Sequence, residues 1–191
     1  MTDQVAPPTH NNVKITIHIV EDNRPLRDAI RDMLKARLER LDLPVLVDDR
    51  CEYVWKLYDS PTVRAGDIAI CDLYPSGYWD KVPKPTLYPR SEPLGDDVEN
   101  MMKASLDVAR RFFRRLQHQK GVDVFVITFI PNFFEAKGYT KQAETVRQAL
   151  TEQNLAGVLE KRDQTTAKYN YEEVVDAAIE RARERSRLEL A

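Results

Sequence analysis

Short apolar runs, separated by stretches of helical periodicity, restrict the folds open to this chain more than any other feature. The runs at 67–73 (DIAICDL) and 122–128 (VDVFVIT) carry apolar side chains on both sides of the chain. A strand without a polar face needs cover above and below, which is the condition inside a parallel sheet flanked by helices. Residues 13–20 (VKITIHIV) alternate before turning apolar, and 44–47 and 156–159 add two shorter runs. Between them lie helical stripes. Pro25 suits a first helical turn, where a missing N–H removes no intrahelical bond, and Leu26, Ile30, Met33, Leu34, Leu38 and Leu41 follow at helical spacing. Val54, Trp55, Leu57 and Tyr58 suggest a short second helix that stops at Ser60-Pro61. A long helix is expected from Asp96-Asp97 to about Lys120, with Gly121 as its stop. A fourth is expected at 140–153, with Thr140 as N-cap, and a fifth at 171–188. Five strands alternating with five helices predict a doubly wound α/β fold, a parallel sheet with helices on both faces.

A length of 191 residues suits one domain. Residues 1–12 are polar and contain Pro7-Pro8, so a disordered tail is expected there, leaving 13–191 as a single domain. Within it, residues from Pro75 to Pro93 hold five prolines, together with Tyr78, Trp79 and Tyr88, and show no period. That marks an irregular insert at about 75–95. The charges nearly balance, 29 basic against 31 acidic residues, which argues against nucleic acid as a partner. The basic run Arg110, Arg111, Arg114, Arg115, His118 and Lys120 reads as the solvated face of the long helix. No apolar run approaches a membrane span, and the N-terminus lacks the apolar core of a signal peptide. Cys51 and Cys71 form no CxxC pair. A reduced, cytoplasmic location is therefore expected.

In an open α/β sheet, ligands bind in the crevice outside the carboxyl ends of the strands. Right-handed crossovers bring those ends to one edge. The first strand ends in Glu21-Asp22, the third in Asp72, the fourth in Thr128 and the fifth in Lys161. Three carboxylates crowded together repel one another unless a cation sits among them, and a hard oxygen set of this kind suits Mg2+. A hydroxyl and a lysine nearby would then contact an anionic group. The chemistry suggested is phosphoryl transfer involving Asp72 as carboxylate nucleophile. Taken singly, each residue has an ordinary reading. Glu21-Asp22 would be a solvated turn before a helix N-terminus, Thr128 a β-branched strand residue, and Lys161 a solvated lysine. Their joint position gives them meaning. His10, His18 and His118 are scattered without metal or triad spacing, so no histidine is assigned a catalytic role.

The order Glu21-Asp22, Asp72, Thr128, Lys161 resembles the receiver domain of two-component response regulators, over residues 13 to about 188. The resemblance implies a five-stranded sheet of flavodoxin-like order 2-1-3-4-5. It implies that Glu21 and Asp22 help to hold Mg2+ and that Asp72 accepts a phosphoryl group from a histidine kinase or a phosphotransfer protein. Thr128 and Lys161 would contact that group and couple it to a switch in protein–protein contacts, and the Tyr74 carbonyl would add a metal ligand. On this reading the chain is a phosphoprotein that at most catalyses its own phosphorylation and dephosphorylation. Homodimerisation through the last helices is a further implication.

The sequence also departs from the family. Pro75 lies three residues past Asp72 where the family's proline lies four on, and bulky Phe129 adjoins Thr128. Arg162 follows Lys161 in place of proline, and Val158 stands near the family's aromatic switch position. Two other readings stay open. One is a receiver-like binding module that no longer uses phosphorylation and docks through its insert. The other is an aspartate-nucleophile phosphatase of the haloacid dehalogenase type, which wants a second aspartate where Tyr74 stands.

Overall fold

Along each central strand, successive side chains point to opposite faces, and both faces are apolar. A computed structural model describes residues 15–73, 95–160 and 171–189, without the side chains of 95–97 and 188–189. The strands are β1 (Thr16–Val20), β2 (Leu46–Asp48), β3 (Ile68–Asp72), β4 (Asp123–Thr128) and β5 (Gly157–Glu160). They pair in parallel in the order β2-β1-β3-β4-β5, the order the resemblance implies. The fold is a flavodoxin-like doubly wound sheet. No helix among the described residues is long and apolar enough to cross a membrane.

The two faces are built differently. Ile17, Ile19, Ile68, Ile70, Phe125 and Ile127 point toward α1 (Arg24–Leu41) and α7 (Tyr171–Glu189), which bury Ile30, Leu34, Leu38, Val174, Val175 and Ala178 against them. On the other face the strands offer smaller residues, Val20, Ala69, Cys71, Val124 and Val126. The helices above supply the bulk there: Trp55 and Leu57 from α2 (Val54–Asp59), Phe113 and Leu116 from the long helix, and Phe134 from α5 (Ile130–Ala136). Each large apolar side chain withdrawn from water contributes on the order of 2 kcal/mol. Phe125 also sets the spacing to the last strand. A Cβ on Gly157, its register partner, would lie 2.8 Å from the Phe125 ring, so any larger residue there would force the ring or β5 to shift.

Several boundaries differ from expectation. β2 begins two residues later than the apolar run at 44–47 suggested, because the strand pairs only from Leu46 opposite Thr16. Asn23, not a residue of the helix, caps α1: its side chain accepts the Leu26 N–H at 3.3 Å, and Pro25 stands in the first turn as expected. Thr140 is the first residue of α6 (Thr140–Glu152), not its N-cap; Tyr139 holds that place without a side-chain cap bond. A further short helix, α5, follows β4 directly where the sequence showed only an exit from the strand. The alternation of five strands with five helices therefore has an extra helix between β4 and β5. The tail at 1–12 and the insert from residue 75 to 94 lie outside the described residues.

The long helix is not uniform. It runs as α3 (Gly95–Asp107), a π-helical segment (Val108–Phe113) and α4 (Arg114–Lys120), and Gly121 ends it in the left-handed region at φ 68°. The cause is legible in residues 108–119, which read VARR-FFRR-LQHQ, a strict repeat of four. Four residues of α-helix turn through about 400°, so a four-residue repeat drifts by about 40° per turn. A π segment uses more residues per turn and cancels the drift. Val108, Ala109, Phe112, Phe113 and Leu116 thus all stay buried, and Arg110, Arg111, Arg114, Arg115, His118 and Gln119 all stay exposed.

Asp67, just before β3, is 2% exposed and is held by three donors or ring contacts. Its oxygens accept the N–H of Thr16 at 2.9 Å and of Arg64 at 2.8 Å, and lie 3.1 Å from His18 Nε2. His18 is a buried strand residue, 1% exposed, whose Nδ1 lies 3.6 Å from Asp48 on β2. This polar knot ties the amino ends of β1 and β3 to the loop before β3. Replacing a buried charged acceptor strands its donors, so Asp67→Ala is expected to lower the unfolding free energy by about 3 kcal/mol. Urea unfolding followed by circular dichroism measures it; a loss well under 1 kcal/mol would contradict this role.

Candidate functional site

β1 and β3 are neighbours, so their carboxyl ends are adjacent, and the residues leaving them meet. One carboxylate oxygen from each of Glu21, Asp22 and Asp72 lies within 4.8 Å of the other two. Glu21 is buried, while Asp22 and Asp72 are half-buried. The local chain holds the acidic pair in place. Glu21 Oε1 accepts the Asn23 N–H at 3.0 Å, and the Glu21 carbonyl accepts from the Arg27 guanidinium at 2.9 Å. Asn23 in turn caps α1, so the helix that packs on the sheet also orients the two acids.

Burial, and next the charge of Asp72, hold the Asp22 carboxyl above the ordinary carboxylate range. Three carboxylates brought this close repel one another, and a cation among them would relieve that repulsion. Three hard oxygen donors of this kind match a divalent cation of the magnesium class, which binds through one or a few carboxylates and keeps part of its water. Cys71, the neighbour of Asp72, offers no competing nucleophile: it is fully buried, and burial pushes its thiol up.

The wall of the crevice comes from a part of the chain that the sequence did not associate with it. Glu52, Tyr53, Val54 and Trp55 line a small cavity together with Val20, Asp22, Asp72 and Val108. Tyr53 and Trp55 stack with ring centroids 4.8 Å apart and planes 5° apart, and Trp55 packs on Phe112 at 6.2 Å. The periodicity of Val54, Trp55, Leu57 and Tyr58 identified a short helix but not its position. The available signal was topological, since the loop after β2 opens on the same sheet edge as the loops after β1 and β3.

Thr128 ends β4, one residue beyond Ile127, the register partner of Asp72. It is fully buried, and its Oγ1 accepts the Ile130 N–H at 3.1 Å, fastening the start of α5. Phe129 turns into the core, 7% exposed, with its ring edge-on to Phe133 at 6.1 Å. On β5, Glu160 pairs with Thr128 in the ladder and is clamped by Arg147 of α6, with Nε 2.8 Å from Oε1 and Nη2 2.8 Å from Oε2. Arg147 also reaches Glu135 of α5. One guanidinium thus joins α5, α6 and the end of β5. Val158 is exposed on β5. Lys161 and Tyr74 lie outside the described residues.

No family model matches the sequence, and no curated protein matches it. Two solved structures are similar. One is RcsB from Salmonella enterica serovar Typhimurium, bound to promoter rprA in the presence of the phosphomimetic BeF3-; it is 15% identical, with a TM-score of 0.43, over 85% of this chain and 67% of that one. The other is a response regulator from Thermotoga maritima, 11% identical, with a TM-score of 0.40, over 87% of this chain and 99% of that one.

The buried Thr128 bond has a measurable consequence. Thr128→Val keeps the shape but leaves the Ile130 N–H without its acceptor, so it is expected to cost about 1–2 kcal/mol, whereas Thr128→Ser retains most of the stability. Equilibrium denaturation of the two variants distinguishes the hydroxyl from the methyl.

Proposed function

We propose that this chain is a single receiver-like unit that takes a phosphoryl group onto Asp72 in a Mg2+-dependent step. The donor would be a histidine kinase or a phosphotransfer protein, and other proteins would read the result. The observation that carries this reading is the meeting of Glu21, Asp22 and Asp72 within 4.8 Å. An Asp72 oxygen forms the new P–O bond as the donor's P–N bond breaks, and the departing imidazole keeps the electron pair and takes up a proton from solvent. Bound among the three carboxylates, Mg2+ would neutralise charge on the transferring phosphoryl oxygens. Lys161 would supply a second positive group, and the Tyr74 carbonyl a further metal ligand. The Thr128 hydroxyl accepts from Ile130 but still has its own proton to give. Donating it to a phosphoryl oxygen would pull on the first turn of α5, which is how a local charge becomes a change of surface.

One observation favours a second reading, a receiver-like module that binds its partner without phosphorylation. Thr128 is fully buried and already fastened to α5, with Phe129 packed beside it. Incubation with acetyl phosphate or phosphoramidate and Mg2+, followed by intact-mass measurement, separates the two. A single phosphoryl adduct on the wild type, absent from Asp72→Asn, is the expected outcome. No adduct from any donor, together with no Mg2+ binding, would favour the binding module, and sustained phosphoester turnover the phosphatase.

Trp55 lines the same cavity as Asp22 and Asp72. In a Trp79→Phe background its emission is expected to change on Mg2+ addition and to lose that response in Asp72→Asn. An identical titration in both proteins would remove Asp72 from the metal site.

A further inference from the structure

On the exposed side of the π segment and α4, Arg110, Arg111, Arg114, Arg115, His118 and Gln119 line an open groove of about 630 Å³, with Asp107 at one end. Among the described residues, many of the other arginines are paired with carboxylates. Arg31 meets Asp28, Asp32 and Asp49; Arg37 meets Glu172 and Asp176; Arg147 meets Glu135 and Glu160; Arg181 and Arg185 share Asp123. In the groove, Arg110 reaches Glu152 at 3.7 Å and Arg111 lies 5.4 Å over the Phe112 ring. Among the described residues, Arg111, Arg114 and Arg115 have no carboxylate partner. The π segment is what keeps both basic rows, 110-114-118 and 111-115-119, on one face. Among the described residues, the fold thus holds four guanidinium groups together with one carboxylate, Glu152, within ion-pair reach.

We infer that this groove docks an acidic helix of a partner protein. Guanidinium forks match carboxylates in pairs, and positions four apart on an α-helix rise by about 6 Å. A facing helix with acidic residues alternating at three- and four-residue spacing keeps its carboxylates on one face, at close to that pitch. The footprint argues against a nucleic-acid backbone. The basic rows extend for only about 15 Å, and beyond them a phosphodiester chain would meet Asp107, Glu152 and a protein of net charge -2. The inference is independent of phosphorylation on Asp72 and is tested on the unmodified full chain.

The probe is a fluorescein-labelled, alanine-rich peptide with glutamates alternating at three- and four-residue spacing, its helicity checked by circular dichroism, followed by anisotropy at roughly physiological salt. Saturable binding to the wild type, weakened about tenfold or more in R111E/R114E/R115E, is the expected result. The milder R111Q/R114Q/R115Q, checked for native circular dichroism, should show a smaller loss in the same direction. Arg24→Glu, an exposed change on α1, should leave binding unaltered. Absence of binding to the wild type, equal binding by the charge-reversed variant, or tighter binding of duplex DNA through the same arginines would each overturn the proposal.

Discussion

Ile68, Ala69, Ile70 and Cys71 have almost no surface on either side of the sheet, and this double burial governs where charge can sit in the molecule. An ionised side chain inside such a strand would lose its hydration on both faces. The central strands therefore push their acids to their ends. Asp67 stands at the amino end of β3 and Asp72 at the carboxyl end, separated only by apolar residues. The two ends then handle the charge in opposite ways. Asp67 is satisfied by two main-chain N–H groups and a histidine ring. Asp72 instead meets two further acids, so one end of the strand is a structural fastening and the other a cluster of hard oxygen donors.

That contrast explains how much the sequence disclosed. The unbroken apolar run predicted a strand buried on both faces, and Asp72 stood at its end. Glu21-Asp22 closed the first strand, and right-handed crossovers put both strand ends on one edge; that the two strands are neighbours followed only from the order the resemblance implied. Asp67 looked equivalent to Asp72 as a residue type. Its different role depends on donors from Thr16 and Arg64, one of them 51 positions away, which no local pattern reveals. The same limit hid the wall of the crevice: Trp55 was legible as helix, but its stacking on Tyr53 beside Asp22 depends on how α2 returns over the sheet. α5 escaped notice because Pro131 and Asn132 resemble an exit loop, although proline is well suited to a first helical turn. Thr140 has the chemistry of a cap, yet Tyr139 takes that position and Thr140 begins the helix.

The basic groups of the fold also show a division of labour. Arg147 is committed to holding secondary structure together, since its contacts with Glu135 and Glu160 span two helices and a strand. Along the π segment and α4, Arg110 alone of the four arginines reaches a carboxylate among the described residues, that of Glu152 on α6. Position within the fold, more than residue type, separates an arginine that stabilises the chain from one that faces outward.

The π segment adds a further property to the long helix: it holds one residue in reserve. If Val108–Phe113 rewound as α-helix, every residue beyond it would rotate by about 100° about the axis. Leu116 would leave the core, and the outward rows would separate into two directions. Because Val108 also lines the crevice beside Asp72, pressure there acts on the first residue of that reserve. The helix is thus wound like a ratchet with a single tooth, its present setting held by the fit of Phe112 and Phe113 in the core.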